Sequence, residues 1–126
     1  MKIPDTHQTV MPYLILKGAS KFIDFATNVF DSRINYKSYR EDNKNVLAHC
    51  ELQIGSSTIM FSDANENFEA QTSNLFIYVD DADIRFQKAL DNGATVIMEL
   101  SDQEYGRTCG VSDPLGNVWW ITSIIK

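Results

Sequence analysis

Apolar and polar residues along this chain alternate with two different periods, and the order in which the periods switch predicts its elements. VMPYLIL (10–16) has the apolar, β-branched and aromatic density of a strand. Gly18 breaks it, and Ser20 is placed to cap a helix. Phe22, Ile23, Phe25, Ala26, Val29 and Phe30 then recur at helical spacing and give one apolar stripe over about 20–30. A strand pattern returns over 34–39, followed by a polar turn at 41–45. Val46, Ala48, Cys50, Leu52 and Ile54 alternate with Leu47, His49, Glu51 and Gln53, the period of two expected of a strand with one apolar face. Gly55-Ser56-Ser57 turns the chain into a fourth strand, 58–62.

The second half runs through the same order. Residues 63–73 read as a polar linker and 74–79 as a strand. Asp80 and Asp81 open a helix with Ile84, Phe86, Ala89 and Leu90 inward, and Asn92-Gly93 ends it. Strands follow at 95–98, at 107–111 and, after the turn DPLG, at 118–124. Phe25 and Phe86 lie 61 positions apart, as do Gly55 and Gly116, and Cys50 and Cys109 lie 59 apart. A repeat at half the chain length predicts an α+β protein of two βαβββ modules, about 10–63 and 73–125, in one domain spanning 1–126. The last strand adds a constraint: neighbouring residues on a strand point to opposite faces, so Trp119 and Trp120 cannot share one core.

The paired modules, the opening YLILKGASKFIDFATNVF, the hairpin AHCELQIGSSTIMFSD and the closing GVSDPLGNVWWI resemble the vicinal oxygen chelate superfamily. That superfamily includes glyoxalase I, bleomycin-resistance proteins and extradiol dioxygenases, and the resemblance is to its glyoxalase-like proteins named "3-demethylubiquinone methyltransferase-like". It covers roughly residues 10–124. It implies a curled eight-stranded mixed sheet with outer helices and a ligand groove inside. The family register sets Trp119 and Ile121 against the helices, and turns Val118, Trp120 and Thr122 into the groove. It places Met11, Tyr13, Thr58, Met60, Asn74, Phe76 and Tyr78 there too, and His49 and Glu51 by the alternation of the third strand.

The family's enzymes hold a divalent metal with His and Glu or Gln at four places. By register these are Met11, Met60, Asn74 and Trp120 here, and thioethers, an amide and an indole are poor substitutes for imidazole and carboxylate. No metal and no cofactor are therefore expected. The resemblance implies instead a metal-independent binder of a small molecule, aromatic or cationic, of the drug-sequestering kind. Its ligand-binding residues would be Tyr13, His49, Glu51, Met60, Phe76, Tyr78, Arg107 and Trp120. Two alternatives stand beside it: a metal-dependent lyase or dioxygenase whose ligands go unrecognised, and a non-catalytic structural or regulatory partner. His49 and Glu51, two apart on one strand face, are the candidates for acid–base work, against a plain polar pair. For Arg107 the choice is between an anionic ligand and a rim ion pair. By analogy the chain forms a homodimer, since a sheet edge at 74–79 or 11–16 would otherwise stay open.

Composition narrows this further. The chain has 126 residues, 44% hydrophobic and 22% charged, with a net charge of −6 and no basic stripe, which excludes a nucleic-acid partner. No apolar run reaches a membrane span and MKIPDTHQTV lacks a signal-peptide core, so the expected location is the cytoplasm, with no membrane partner. Two cysteines without CxxC spacing read as buried, reduced thiols. His7, in the N-terminal tail, reads as a solvated, idle residue.

Overall fold

The computed structural model describes residues 1–125. Each half of the chain builds one four-stranded sheet and one helix. The first module contributes β1 (Tyr13–Leu16), α1 (Ala19–Phe30), β2 (Arg33–Tyr39), β3 (Leu47–Ile54) and β4 (Ser57–Asp63); the second contributes β5 (Asn74–Tyr78), α2 (Ala82–Asp91), β6 (Thr95–Gln103), β7 (Gly106–Ser112) and β8 (Val118–Ser123). The sheets have matching orders, β1-β4-β3-β2 (sheet A) and β5-β8-β7-β6 (sheet B), with β1–β4 and β5–β8 parallel and the other pairs antiparallel. The expected α+β fold of two βαβββ modules is present, its eight strands divided between two mixed sheets. No helix among the described residues is long and apolar enough to cross a membrane.

The two modules meet at α1. Phe22 packs edge-on against Phe61 of sheet A, with ring centroids 4.9 Å apart, and stacks on Trp119 of sheet B at 5.9 Å. Phe25 and Phe30 complete the seat of the Trp119 ring. Arg85 of α2 adds a polar tie, donating to the Val29 carbonyl and to Asp31 at the end of α1. Each sheet thus gives one face to this shared core and leaves the other open. Among the described residues no hydrogen bond or ring contact joins one open face to the other.

The DPLGN turn explains its own composition. Asp113, buried, accepts at Oδ1 from the backbone N–H groups of Leu115 and Asn117 and at Oδ2 from the Trp119 indole at 2.9 Å. Gly116 closes the turn at φ 95°, a left-handed conformation that suits glycine. Asn117 accepts from the Ser73 N–H, which ties the incoming linker to β8.

Four local expectations change. Ser20 is not the cap of α1: the helix starts at Ala19, and its first N–H is taken by the Asp63 carboxylate from β4 at 2.7 Å. The other Asp63 oxygen accepts from Leu47 N, so one carboxylate pins the starts of α1 and β3. Strict alternation fails at the start of β3, where a bulge between the Ser38 and Tyr39 pairings turns Leu47 into the core and Ala48 out to solvent, and Val46 falls outside the strand. Ile84 points outward, because α2 buries Ala82, Phe86 and Ala89 instead. The outer edge of β1 is partly covered, Gln71 N donating to the Ile15 carbonyl, while β5 has no partner beyond β8 among the described residues.

Trp119→Ala should lower the free energy of unfolding by about 3–5 kcal/mol, because a fully buried indole is lost and Asp113 loses a donor. Urea denaturation at fixed slope measures this; a loss below about 1 kcal/mol would show that the ring is not the joint between modules.

Candidate functional site

The register of sheet A lines up Tyr13 (β1), Met60 (β4), Glu51 (β3) and Tyr36 (β2) as successive cross-strand neighbours, which sets them in one row on the open face. His49 lies two residues from Glu51 and therefore on the same face. Its ring stacks on Tyr13 with centroids 5.6 Å apart and leans on Tyr36 at 5.9 Å. Polar atoms connect Tyr13, His49, Glu51 and His7 in series. The Tyr13 hydroxyl lies 3.1 Å from His49 Nδ1, His49 Nε2 lies 2.9 Å from Glu51 Oε2, and Glu51 Oε1 lies 2.8 Å from His7 Nε2.

His7 corrects the reading of the tail as idle. The N-terminal arm lies along β4: the Gln8 side-chain amide pairs with both backbone groups of Thr58, and the Thr58 hydroxyl donates to the Thr6 carbonyl. This brings His7 over Glu51, leaving their side chains only 18% and 14% exposed. It also buries Thr58, which does not line a groove as expected. Burial by itself would raise the Glu51 carboxyl, but hydrogen bonds and charge from His7 and His49 outweigh it and hold it below the usual carboxylate range. An ionised carboxylate only accepts, so both Nε2 atoms donate to it. In the neutral tautomer protonated at Nε2, His49 keeps its Nδ1 lone pair and the Tyr13 hydroxyl donates to that nitrogen.

Sheet B carries the equivalent row Phe76, Trp120, Gly110, Met98. The Trp120 indole packs against the bare Gly110 backbone; a Cβ there would sit 2.5 Å from Cζ3 of the ring. Its N–H donates to the Asn74 side-chain oxygen at 3.1 Å. Phe76 meets Tyr78 edge-on at 5.2 Å and Tyr105 at 6.3 Å, and all three are more than half exposed. Trp119 and Trp120 thus occupy opposite faces of β8. Thr122, also expected on the groove side, is instead buried against Thr108, their hydroxyls 2.8 Å apart.

Of the expected ligand-binding residues, Tyr13, His49, Glu51 and Met60 come together on the open face of sheet A, and Phe76, Tyr78 and Trp120 on that of sheet B. Arg107 is on neither. It sits on the helix face of β7, where Asp83 of α2 at 2.6 Å and Asp102 at 3.0 Å engage its guanidinium and raise its pKa. The ion pair is the alternative the structure supports. Cys50 and Cys109 are buried and free, and burial pushes both thiols up to about 11, as inert core residues require. A cavity of about 560 Å³ lies apart from the His49 chain, between the β3–β4 turn and the free edge of β5; of the expected residues it includes Phe76 and Tyr78 only. His7, Tyr36, Tyr105 and Gly110 had no signal in local sequence; each acquires its place by long-range pairing.

Two open sheet faces with matched rows, on paired βαβββ modules, define the class of fold. The chain belongs to the Glyoxalase/Bleomycin resistance protein/Dioxygenase superfamily, whose family model matches residues 8–121. An uncharacterized protein of Mycobacterium bovis is 32% identical over 120 residues, covering 86% of this chain and 78% of the relative. Among solved structures, TioX from Micromonospora sp. ML1 superposes with a TM-score of 0.72 at 20% identity, covering 94% of this chain and 98% of that one. The fosfomycin resistance protein FosX from Listeria monocytogenes gives a TM-score of 0.74 at 14% identity, covering 94% of each chain. Both likenesses are likenesses of fold.

The four places where the family resemblance would put metal ligands do not fit a transition metal. Met11 and Met60 offer thioethers, and the Asn74 oxygen already accepts from the Trp120 N–H, which is itself a donor only. His7 and His49 straddle Glu51 and spend their Nε2 atoms on it, and no metal-holding group of three or more His, Cys, Asp or Glu occurs among the described residues.

The lowered Glu51 pKa gives a pH prediction. The folded value lies below the unfolded one of about 4.3, so its stabilisation is fully present above that pH and is lost as pH falls through the lowered folded value. Glu51→Gln should therefore flatten the acid limb of the stability profile between about pH 5 and pH 3. An unchanged acid limb by urea denaturation would assign it to other carboxylates.

Proposed function

We propose that this chain is a metal-independent small-molecule-binding protein whose ligand lies against the aromatic shelf of Trp120, Phe76 and Tyr78. The observation that carries the reading is the Trp120 indole, packed against Gly110 and half-buried on an open face at a position the family resemblance gives to a metal ligand. An indole held by packing on one side and by an N–H bond at its edge presents its other side to a flat or cationic partner. The net charge of −6 favours a cation of the two. Tyr13, His49, Glu51 and Met60 supply the second, polar wall. Drug sequestration is the physiological form of this reading, in a cytoplasmic setting compatible with two free, buried cysteines.

Two copies build the binding cleft in this proposal. Within one chain the aromatic shelf of sheet B has no facing wall, Phe76 and Tyr78 remain 52% and 63% exposed, and the β5 edge is open. A homodimer that sets the open face of sheet A against that of the partner's sheet B gives the shelf its facing wall and covers Phe76 and Tyr78.

Three measurements test this. Trp120→Ala should abolish binding of flat or cationic probes, read as thermal shift and as tryptophan quenching, and leave the melting temperature nearly unchanged. If the variant binds as the wild type does, the shelf is not the site. The purified protein should also hold no stoichiometric Zn, Ni or Fe by elemental analysis, and one chelatable ion per chain would overturn the metal-independent reading. Solution scattering should give the mass of two chains, and a monomer mass at all concentrations would remove the partnered cleft.

A further inference from the structure

The polar chain on sheet A runs in the order of an activated nucleophile: a hydroxyl on a base, and the base on a carboxylate. Tyr13 is 49% exposed, so its oxygen is reachable from the open face. The carboxylate is held on its far oxygen by His7 and presents its other oxygen to His49 Nε2. In the tautomer protonated at Nε2 the base carries its lone pair toward the hydroxyl, and it has a carboxylate behind it to stabilise the imidazolium. We propose that Tyr13 is an oxygen nucleophile, with His49 as its base and Glu51 as the positioning residue, and that it takes the acyl group of neutral aryl esters. The substrate class follows from the surroundings. The Glu51 charge disfavours an anionic ester, and the Tyr13 and Tyr36 rings on either side of His49 offer faces to an aryl group.

The step balances within these groups. The Tyr13 oxygen forms a bond to the acyl carbon while its proton passes to His49 Nδ1. The bond from the acyl carbon to the aryl oxygen breaks, and the aryloxide leaves with that electron pair. His49 then returns the proton to the aryloxide, which departs as a phenol and leaves O-acyl-Tyr13. This inference stands on sheet A alone, so loss of ligand binding in Trp120→Ala neither supports nor removes it.

The test uses 4-nitrophenyl acetate on the full chain, following the burst of nitrophenolate and mapping acetyl groups by peptide mass spectrometry. Tyr78 and Tyr105, on sheet B and 63% and 54% exposed, are internal references, and Tyr36, 52% exposed, controls for nearness to His49 without a hydrogen bond to it. Tyr13 should be acetylated first, and the burst should vanish in Tyr13→Phe, which keeps the ring. His49→Gln should slow Tyr13 acetylation about a hundredfold and Glu51→Gln about tenfold, with the rate at Tyr78 unchanged in both. A purely structural role for Glu51 would move neither rate relative to the other. Acetyl spread over the four tyrosines in proportion to exposure, a burst that survives Tyr13→Phe, or a Tyr13 rate indifferent to His49→Gln would overturn the proposal.

Discussion

The buried hydrogen bond from the Trp119 indole to Asp113 is the constraint on which the rest of the structure depends. An indole N–H in an apolar core costs free energy unless it finds an acceptor, and a buried carboxylate costs more unless it is surrounded by donors. The DPLGN turn meets both needs at once, since the same carboxylate collects two backbone N–H groups and the indole. The ring is then free to fill the space between the three phenylalanines of α1, and α1 belongs to the other module. One side chain therefore fixes the register of β8, joins the two halves and, because strands alternate, commits Trp120 to the open face.

Much of this was legible in the sequence, for a reason that also marks the limit. Trp119 and Trp120 could be assigned to opposite faces because a period of two leaves no other choice, and His49 and Glu51 share a face by the same rule. The repeat at 61 residues made both modules visible, since each must bury a similar helix stripe. Reading failed where a distant partner outweighed a local signal. Ser20 looked like a cap, but Asp63, 44 residues beyond Ala19, reaches the first free N–H. Val46 and Ala48 fitted a perfect alternation that a bulge, invisible in side-chain pattern, shifts by one. Ile84 fitted a helix stripe that the small residues Ala82 and Ala89 supply instead. His7 was opaque for the same reason: its meaning lies in a carboxylate 44 residues away.

The two open faces show how little of a site is fixed by architecture. Met60 and Trp120 sit at matching places on β4 and β8, as do Tyr13 and Phe76 on the neighbouring edge strands, and Glu51 and Gly110 on the strands to the other side. The same row is a chain of hydrogen bonds in one module and a stack of aromatic surface in the other. Function on such a scaffold is set by a handful of side chains rather than by the fold.

The difference between the rows has a physical root in what covers them. A carboxylate can be 14% exposed on an open sheet face only if donors replace the water it loses. On sheet A the donors are two imidazoles, and one arrives on the N-terminal arm, which Gln8 anchors by pairing its amide with the backbone of Thr58. The arm thereby decides the chemistry of the row beneath it. By occupying one Glu51 oxygen it leaves the other for His49 Nε2, and Nδ1 of the same ring faces the Tyr13 hydroxyl. Sheet B needs no arm, because glycine at the place equivalent to Glu51 lets an indole lie directly on the backbone and cover it. Residues that look like an unstructured tail in one module thus do the work that a single missing side chain does in the other.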